Sequence, residues 1–342
     1  MVNFPIDIVI PWVDGSDPQW VARKKAVQEK LGKSISGDAS ETRYRDWGLL
    51  RFVFRGIEQN APWVHKIYFI TDHQIPDWLD TSHPKLQLVS HEDYIPQQYL
   101  PTFSANTIEL NLHRIEGLSE HFIYMNDDMF FTNPVKPEDF FTKKGLPKTT
   151  AIVTPWKVTI GDYFFVPLID AAVISRNFDF HHTVATHVGK WINYRYGINV
   201  FRTLLSLPYP YFVGFMEDHL PNAFLKSTFE EVWDREGEIL DQTCRHQFRE
   251  NTDVNQYLMR EWQVATGQFA PCSWKRGYAF QLRADWRQEL VRCRQYIKSG
   301  KGKLICLNDS DKIDDLDEAN VLSRKTLQSI FSSKCEFERE QI

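Results

Sequence analysis

The sequence lacks the features that mark secreted, disulfide-stabilised or membrane-spanning proteins. Its 342 residues include only five cysteines and no Cys-x-x-Cys pair, which fits a reducing compartment and indicates neither a zinc site nor a disulfide framework. The first residues, 1–5, lack a charged region followed by an apolar core, so we expect no signal peptide. No run of about 18 apolar residues occurs, so we expect no transmembrane segment. These absences predict a cytoplasmic protein.

The sequence also has no excess of positive charge and no phosphate-binding loop motif. The net charge of −5 argues against a nucleic-acid partner, because such a protein would need a basic face. Neither a Gly-x-Gly-x-x-Gly loop nor a Gly-x-x-x-x-Gly-Lys-Ser/Thr loop is present, and no internal repeat occurs. Aromatic residues make up 14% of the chain, which is typical of carbohydrate sites but also of ordinary cores.

Apolar runs alternate with helical patterns through the first half of the chain. Runs typical of strands cover residues 6–13, 66–72, 86–89 and 122–125, and the helical patterns between them include a core stripe of Ile108, Leu112 and Ile115. This order predicts right-handed crossovers and an α/β fold with a mostly parallel sheet. We expect a Rossmann-like or GT-A-like nucleotide-binding core over residues 1–146 and a helical part over residues 147–342 that completes the site. The polar stretch 32–41 predicts a mobile loop.

The central feature of the sequence is the run from Phe122 to Phe131, in which Asn126, Asp127 and Asp128 directly follow an apolar strand. Open α/β sheets bind their ligands beyond the carboxyl ends of such strands. Two adjacent carboxylates there are costly unless a cation compensates them. Hard oxygen ligands suit Mg²⁺ or Mn²⁺, and either ion suits a substrate with phosphates. The alternative is a strand followed by a turn rich in Asn and Asp, with no metal.

Acidic residues also follow the first two predicted strands. Asp14 and Asp17 lie in a turn after the first strand, and Thr71 and Asp72 end the second. An acidic, glycine-containing loop after a first strand is a natural place to hold the base and ribose of a nucleotide. The alternative is an ordinary turn between a strand and a helix.

Three arginines lie close together before and within the second predicted helix. Arg51 and Arg55 are four residues apart and therefore share a helix face, and Arg45 precedes them. Guanidinium groups match phosphate in a bidentate manner, so the three side chains could meet a diphosphate. The alternative is that they pair with solvent or with acidic side chains of the protein.

Residues 6–18, 45–80 and 100–141 resemble the first regions of the Stealth family of sugar-1-phosphate transferases. The segments 100–104, 113–119 and 122–128 are especially close. The sequence is similar to the bacterial capsular and receptor polysaccharide phosphotransferases, and equally to the catalytic subunit of the lysosomal-enzyme GlcNAc-1-phosphotransferase. One departure is Pro11, where the family usually has Thr before Trp-Val, and we expect this change to be tolerated at a strand end.

The second half carries further matches. Residues 219–221 and 243–253 resemble the family's third region, in which the functional His and Arg fall on His219 and Arg249. The pattern predicts that His219 opens a helix and that Lys226 lies one or two turns along the same face. Residues 304–309, with Asn308 and Asp309, resemble the short fourth region, and residues 331–338 resemble its closing segment. The resemblance therefore covers nearly the whole chain in four separated blocks.

The resemblance implies transfer of a hexose or N-acetylhexosamine 1-phosphate from a UDP-sugar to a sugar hydroxyl, with formation of a phosphodiester and release of UMP. It implies that Asp127 holds Mg²⁺ or Mn²⁺ and that Asp128 either shares the metal or acts as the base. His219 is the first choice for proton transfer, because its ordinary pKa lies near the working pH. The remaining expected ligands of the donor are the phosphate-binding Arg249, Arg45 and Arg51, the uridine-binding Asp14, Thr71 and Asp72, and Asp17, Lys226, Asn308 and Asp309.

The implied acceptor is an oligosaccharide or polysaccharide, which can be lipid-linked, so peripheral association with a membrane is compatible with the lack of a transmembrane segment. The compact length favours a role in bacterial capsule or exopolysaccharide synthesis. Two alternatives remain open. A metal-dependent glycosyltransferase would release UDP, and a non-catalytic glycan-binding module would need the aromatic residues but not the clustered carboxylates and arginines.

Overall fold

The computed structural model describes residues 2–32, 41–156 and 165–339. Most of the predicted loop at 32–41 therefore lies outside the described residues. Within them the strands are β1 (Ile6–Pro11), β2 (Ile67–Thr71), β3 (Leu86–Ser90), β4 (His121–Tyr124), β5 (Met129–Phe131), β6 (Lys148–Thr149), β7 (Asn222–Leu225), β8 (Ala270–Pro271), β9 (Gly277–Gln281) and β10 (Leu304–Asn308). The α-helices are α1 (Pro18–Leu31), α2 (Leu50–Asn60), α3 (His91–Tyr94), α4 (Ala105–Leu110), α5 (Pro137–Phe140), α6 (Val166–Asn177), α7 (Phe180–Thr186), α8 (Val188–Trp191), α9 (Val200–Ser206), α10 (Lys226–Arg245), α11 (Gln256–Ala265), α12 (Trp286–Lys298) and α13 (Leu316–Gln328).

The main sheet of the described residues has five strands in the order β3-β2-β1-β4-β7. Parallel pairing joins β1 to both β2 and β4, and β2 to β3, whereas β7 runs antiparallel to β4. Side chains alternate between the two faces of β1, so that Ile8 and Ile10 join one hydrophobic core and Val9 joins the other. The sequences of β1 and β2 are almost continuously apolar because both faces of these strands are buried. The predicted α/β class with a mostly parallel sheet is confirmed.

A smaller sheet fixes the turn that carries the two central aspartates. Its order is β5-β10-β9, with β10 antiparallel to β5 and parallel to β9. Cys306 of β10 lies opposite Met129 of β5, and the backbone N–H of Leu307 donates to the carbonyl oxygen of Asp128 at 3.0 Å. This pairing brings residues that follow β10 to the turn between β4 and β5, although the two segments are far apart in sequence.

The helices of the first half differ in how closely they match the spacing of their apolar residues. In α2 the stripe of Leu50, Phe54 and Ile57 is buried, as the spacing predicts. The helix expected to carry Ile108, Leu112 and Ile115 is shorter than predicted, because α4 ends at Leu110 and a 3₁₀ turn covers Leu112–Arg114. The break lies at Asn111, whose dihedral angles leave the helical region and whose side-chain amide donates to the carbonyl oxygen of Thr107 at 2.8 Å.

The C-terminal part is rich in helices, and α11 is buried along its whole length while it packs against α6, α10 and α4. The helix predicted to open at His219 does not form there. Residues 219–221 instead form a turn that leads into β7, which completes the edge of the main sheet. Residues 222–225 form a strand because they pair with β4 and are buried on both faces. The short Asn-Ala-Phe-Leu sequence by itself does not predict this pairing.

Strands from both predicted halves share two of the sheets, since β7 pairs with β4 and β10 pairs with β5. A division of the chain at residue 146 into two folding units stays a prediction. No helix in the part of the chain that the structure describes is both long enough and apolar enough to cross a membrane. The cytoplasmic location likewise stays a prediction.

Candidate active site

The main sheet opens into a cavity of about 360 Å³ at the carboxyl ends of its parallel strands. Trp12 after β1, Asp72 after β2, His91 after β3 and Asn126 after β4 all line this cavity. Parallel strands end at the same edge, so the residues that follow them converge, and open α/β sheets bind their ligands there. The other walls come from residues 42–49 and 102–109 and from segments of the C-terminal part.

Carboxylates cluster in this cavity. Asp127 and Asp128 lie in the turn between β4 and β5, Asp309 follows β10, and Asp46 precedes α2. Burial raises the pKa of Asp127 well above its ordinary value, and the charges of Asp128, Asp46 and Asp309 add to this effect. Burial likewise raises the pKa of Asp46 and of Asp309. Ionised carboxylates are therefore disfavoured in this cavity unless a cation offsets their charge.

Asp128 has one oxygen free to accept a ligand. Its Oδ1 atom is buried and accepts no hydrogen bond, while its Oδ2 atom accepts one from the thiol of Cys306 at 3.1 Å. Within the described residues, Asp128, His219 and Cys306 form a group whose possible ligand atoms all lie within 4.8 Å of one another. Burial, with the charge of Asp128, raises the pKa of Cys306 well above its ordinary value, so the thiol stays protonated and is a poor metal ligand.

The donor set of the cavity therefore fits a hard divalent cation. Asp127 and Asp128 offer carboxylate oxygens, and the unbonded Oδ1 atom of Asp128 is the kind of buried polar atom that a cation would satisfy. Oxygen donors of this type are those that Mg²⁺ and Mn²⁺ prefer. The observed residues are thus compatible with the metal that the sequence predicts.

His219 contacts the same aspartate. Its Nε2 atom lies 3.6 Å from Oδ2 of Asp128, and both side chains are partly exposed to the cavity. Burial acts to lower the pKa of His219, but its interaction with the carboxylate of Asp128 outweighs this effect and raises the pKa above its ordinary value. A histidine held in this way by a carboxylate is a stronger base than a free imidazole.

Tyr124 and Glu109 form a buried polar pair that also lines the cavity. The hydroxyl of Tyr124 lies 2.6 Å from both Oε1 of Glu109 and Oδ1 of Asn126. Burial raises the pKa of Glu109, while Tyr124 and the positive charges of Arg249 and His219 act to lower it. Arg249, in the loop after α10, therefore lies close enough to these groups to influence them, and it lines the cavity.

Comparisons with known proteins identify the family. Residues 43–149 match the family model described as Stealth protein CR2, conserved region 2, and residues 4–32 match Stealth protein CR1, conserved region 1. The chain is 39% identical over 340 residues to a capsular polysaccharide phosphotransferase, WcwK, of Streptococcus pneumoniae, a match that covers 99% of this chain and 100% of that protein. The chain belongs to the Stealth family. The resemblance to this family that the sequence analysis describes is confirmed.

Other relatives agree with this assignment. A receptor polysaccharide phosphotransferase, WefC, of Streptococcus gordonii is 38% identical over 338 residues, covering 97% of this chain and 98% of that protein. An exopolysaccharide phosphotransferase, cps2G, of Lactiplantibacillus plantarum is 35% identical over 337 residues, covering 98% of this chain and 97% of that protein. This Stealth protein is therefore a transferase enzyme, and a non-catalytic glycan-binding module is no longer an alternative.

The structure brings most of the predicted site residues of the Stealth protein together. The predicted residues that line the cavity are Arg45, Asp72, Asp127, Asp128, His219, Arg249, Asn308 and Asp309. Arg45 is held by Asp309, whose Oδ2 atom accepts from Nη1 of Arg45 and from Nε1 of Trp47, both at 2.9 Å. Asp72 pairs with Arg23 at 2.7 Å, and the amide of Asn308 donates to Gln281 at 3.1 Å.

Three predicted nucleotide ligands in the first loops do not line the cavity. Asp14 accepts from the backbone N–H and the hydroxyl of Ser16, at 2.9 and 2.6 Å. Asp17 caps α1 by accepting from the N–H of Gln19 at 2.8 Å. The hydroxyl of Thr71 is buried and accepts from the N–H of Gln74 at 3.2 Å. These groups hold the turns after β1 and β2 in shape.

Arg51 and Lys226 also lie away from the cavity. The guanidinium of Arg51 stacks over the ring of Trp78, with 5.4 Å between its central carbon and the ring centroid. Lys226 begins α10, and its N–H donates to the carbonyl oxygen of Glu120, which precedes β4. Because β7 lies between them, His219 and Lys226 lie at opposite ends of this strand instead of on one helix face.

Sequence reasoning did not assign three of the carboxylates and arginines that line the cavity. Asp46 directly follows Arg45, and its position before a helix was the available signal. Glu109 lies in a helix as predicted, but its burial beside Tyr124 depends on contacts that the sequence does not show. Arg43 also lines the cavity, and its positive charge acts on both His219 and Asp309.

Proposed function

We propose that this Stealth protein transfers a sugar 1-phosphate from a UDP-sugar to a hydroxyl of an oligosaccharide or polysaccharide, in the synthesis of a capsule or another cell-surface polysaccharide. The names of the full-length relatives support sugar-phosphate transfer in polysaccharide synthesis. The observation that carries the proposal is the meeting, in one cavity, of the Asp127–Asp128 turn with His219 and Arg249. Phosphoryl transfer needs such a set, because charge must be offset, groups must be positioned and a proton must be removed.

The reaction forms one bond and breaks one bond at phosphorus. The acceptor hydroxyl oxygen attacks the phosphorus that carries the sugar, and the bond from this phosphorus to the bridging oxygen of the diphosphate breaks. UMP leaves with that bridging oxygen, the bond between the sugar and its own phosphate oxygen stays intact, and the product is a phosphodiester. The hydroxyl proton passes to the protein, so no oxidant or additional reactant is required.

We assign the base to His219. Its Nε2 atom lies 3.6 Å from a carboxylate oxygen of Asp128, and this contact orients the ring and raises its pKa. The arrangement resembles that of other catalytic bases, in which a carboxylate holds the imidazole in position. If Asp128 were the base instead, His219 would only position the acceptor, and the two roles predict different kinetics.

Positive charge for the diphosphate comes from the arginines of the cavity. Arg249 and Arg45 are our candidates, and the ion pair of Arg45 with Asp309 holds its guanidinium at the cavity wall. Asp127 and Asp128 would hold Mg²⁺ or Mn²⁺, which when bound would offset phosphate charge as the diphosphate bond breaks. Asp72, at the end of β2, is the remaining candidate for contact with the nucleotide.

The nucleotide product tests the proposal. The protein is incubated with a panel of UDP-hexoses and UDP-N-acetylhexosamines and an oligosaccharide acceptor, and the products are separated by anion exchange. We expect UMP with a matching UDP-sugar. UDP as the only nucleotide product would instead assign the protein to the metal-dependent glycosyltransferases.

Two histidine variants test the assignment of the base. His219→Ala should lower kcat by about a hundredfold or more and change the donor KM little, because proton transfer acts in the transition state. His181→Ala is the matched control, since His181 is exposed and contacts the carbonyl oxygen of Leu207, outside the cavity. An unchanged kcat with a raised acceptor KM in His219→Ala would transfer the role of base to Asp128.

A further inference from the structure

The helical segment 198–206 exposes its large apolar side chains to solvent. Ile198, Phe201 and Leu205 are 76%, 58% and 76% exposed. They are spaced three and four residues apart, and the backbone is helical after Gly197, so they share one face. Helices on the surface of soluble domains normally turn such a face toward the core.

The buried face of the same segment is polar. Asn199, Thr203 and Ser206 are 8%, 0% and 4% exposed, and each takes part in a hydrogen bond. The hydroxyl of Thr203 accepts from the N–H of Val153 at 3.1 Å, and the hydroxyl of Ser206 donates to the carbonyl oxygen of Arg202 at 2.9 Å. The contact between Thr203 and Val153 joins the helix to a neighbouring segment in this orientation, which keeps the apolar side chains on its outer side.

Further large apolar side chains are exposed in the adjoining turns. Tyr194 is 81% exposed, and the other members of this set between residues 188 and 211 are Val188, Leu204, Tyr209 and Tyr211. We call the exposed apolar side chains of residues 188–211 the outward face. A concentration of this kind within one short segment marks an interaction surface.

The surrounding segment carries basic side chains but no acidic ones. Residues 180–216 contain no Asp or Glu, but they contain Lys190, Arg195 and Arg202, in a chain whose net charge is −5. Arg195 and Arg202 are exposed. The guanidinium of Arg195 lies 4.7 Å from the centroid of the Tyr194 ring, so a cation and an aromatic ring are presented together.

We propose that the outward face binds the surface of a bilayer that contains anionic phospholipids. Tyrosine rings and aliphatic side chains flanked by Lys and Arg suit the boundary between headgroups and acyl chains. A second copy of the chain is disfavoured as the partner, because a symmetric contact would gather the basic side chains of both copies in one interface, and residues 180–216 offer no Asp or Glu to pair with them. A glycan is disfavoured because Ile198 and Leu205 offer no hydrogen bonds to hydroxyl groups.

Sedimentation with phospholipid vesicles tests this proposal. The full chain is mixed with vesicles of phosphatidylcholine alone or of phosphatidylcholine with phosphatidylglycerol. Wild-type protein should sediment with the anionic vesicles, and added salt should weaken the binding. The double variant Ile198→Ser, Leu205→Ser should lose about tenfold or more in partitioning, because two apolar side chains no longer enter the bilayer.

Matched variants separate binding from folding. Val21→Ser with Val321→Ser removes two exposed apolar side chains outside the outward face and should bind like the wild type. All variants should keep the wild-type melting temperature, since the substituted side chains are exposed. Arg195→Gln should weaken binding to the anionic vesicles only.

Three outcomes would overturn the proposal. Wild-type protein that ignores anionic vesicles would exclude a membrane surface as the partner. A double variant that binds as well as the wild type would show that the outward face does not mediate the contact. If the wild-type protein is a dimer and the double variant Ile198→Ser, Leu205→Ser is a monomer, the outward face is a protein interface.

Discussion

Replacing Glu338 with alanine should destabilise the protein by about 3 to 5 kcal/mol, because the change leaves the buried guanidinium of Arg55 without its counter-charge. The side chains of Arg55 and Glu338 are only 7% and 2% exposed. Two hydrogen bonds join them, from Nε to Oε1 at 2.5 Å and from Nη2 to Oε2 at 2.8 Å. The third nitrogen, Nη1, donates to the carbonyl oxygen of Phe331 at 2.8 Å and would keep its partner.

The free energy of unfolding in urea measures this effect. Glu29→Ala is the matched control, since Glu29 contacts Lys25 across an exposed surface at 3.9 Å and should contribute little. The double variant Arg55→Met, Glu338→Met should be less destabilised than Glu338→Ala, because no unpaired charge remains. A Glu338→Ala protein as stable as the Glu29→Ala control would refute the view that this buried pair anchors the C-terminal segment on α2.

Three further predictions concern the carboxylates and cations of the chain. Asp127→Asn should keep the melting temperature but lower turnover by about a hundredfold or more, and a chelator should abolish wild-type turnover until Mg²⁺ or Mn²⁺ is added; normal turnover in either case would exclude the metal role. Arg249→Lys should lose most activity because it lacks the planar fork, whereas Lys226→Ala, outside the cavity, should keep it. Burial raises the pKa of Glu217 from 4.5 to about 8, so folding favours its protonated form and its contribution to stability is lost as the pH rises through this value. Urea unfolding of Glu217→Gln should therefore show a smaller loss of stability than the wild type between about pH 5 and about pH 8, and identical losses would contradict the raised pKa.

The strands of the main sheet were predictable because their burial leaves a direct mark on the sequence. The runs before Asp14, Asp72 and Asp127 consist of apolar, largely β-branched or aromatic residues, and the structure has a parallel strand at each. β7 was missed because four residues before a long helix carry too short a pattern to tell a strand from a helix end.

The composition of the cavity was predictable only in part. Local sequence placed Asp127 and Asp128 at a strand end, but the resemblance to the Stealth family was needed to select His219 and Arg249. The contact between His219 and Asp128 depends on the antiparallel pairing of β7 with β4, which neither sequence segment encodes alone.

The arginines show where the same reasoning fails. Arg51 and Arg55 share a helix face as their spacing predicts, yet one stacks on Trp78 and the other pairs with Glu338 from the far end of the chain. The helix period fixes which residues point in one direction, but it does not tell which partner the tertiary fold brings there. The sequence analysis left open whether Arg55 meets a diphosphate or an acidic side chain of the protein. In the structure it pairs with an acidic side chain, Glu338.

The fate of the oxygen that links the sugar to its phosphate tests the central proposal most directly. A UDP-sugar with ¹⁸O at this position is converted with unlabelled acceptor, and both products are examined by mass spectrometry and ³¹P NMR. Transfer of a sugar 1-phosphate keeps the bond between this oxygen and the sugar, so we expect the label in the phosphodiester product and none in the released UMP. Label recovered in released UDP, with a product that contains no phosphorus, would contradict the proposal.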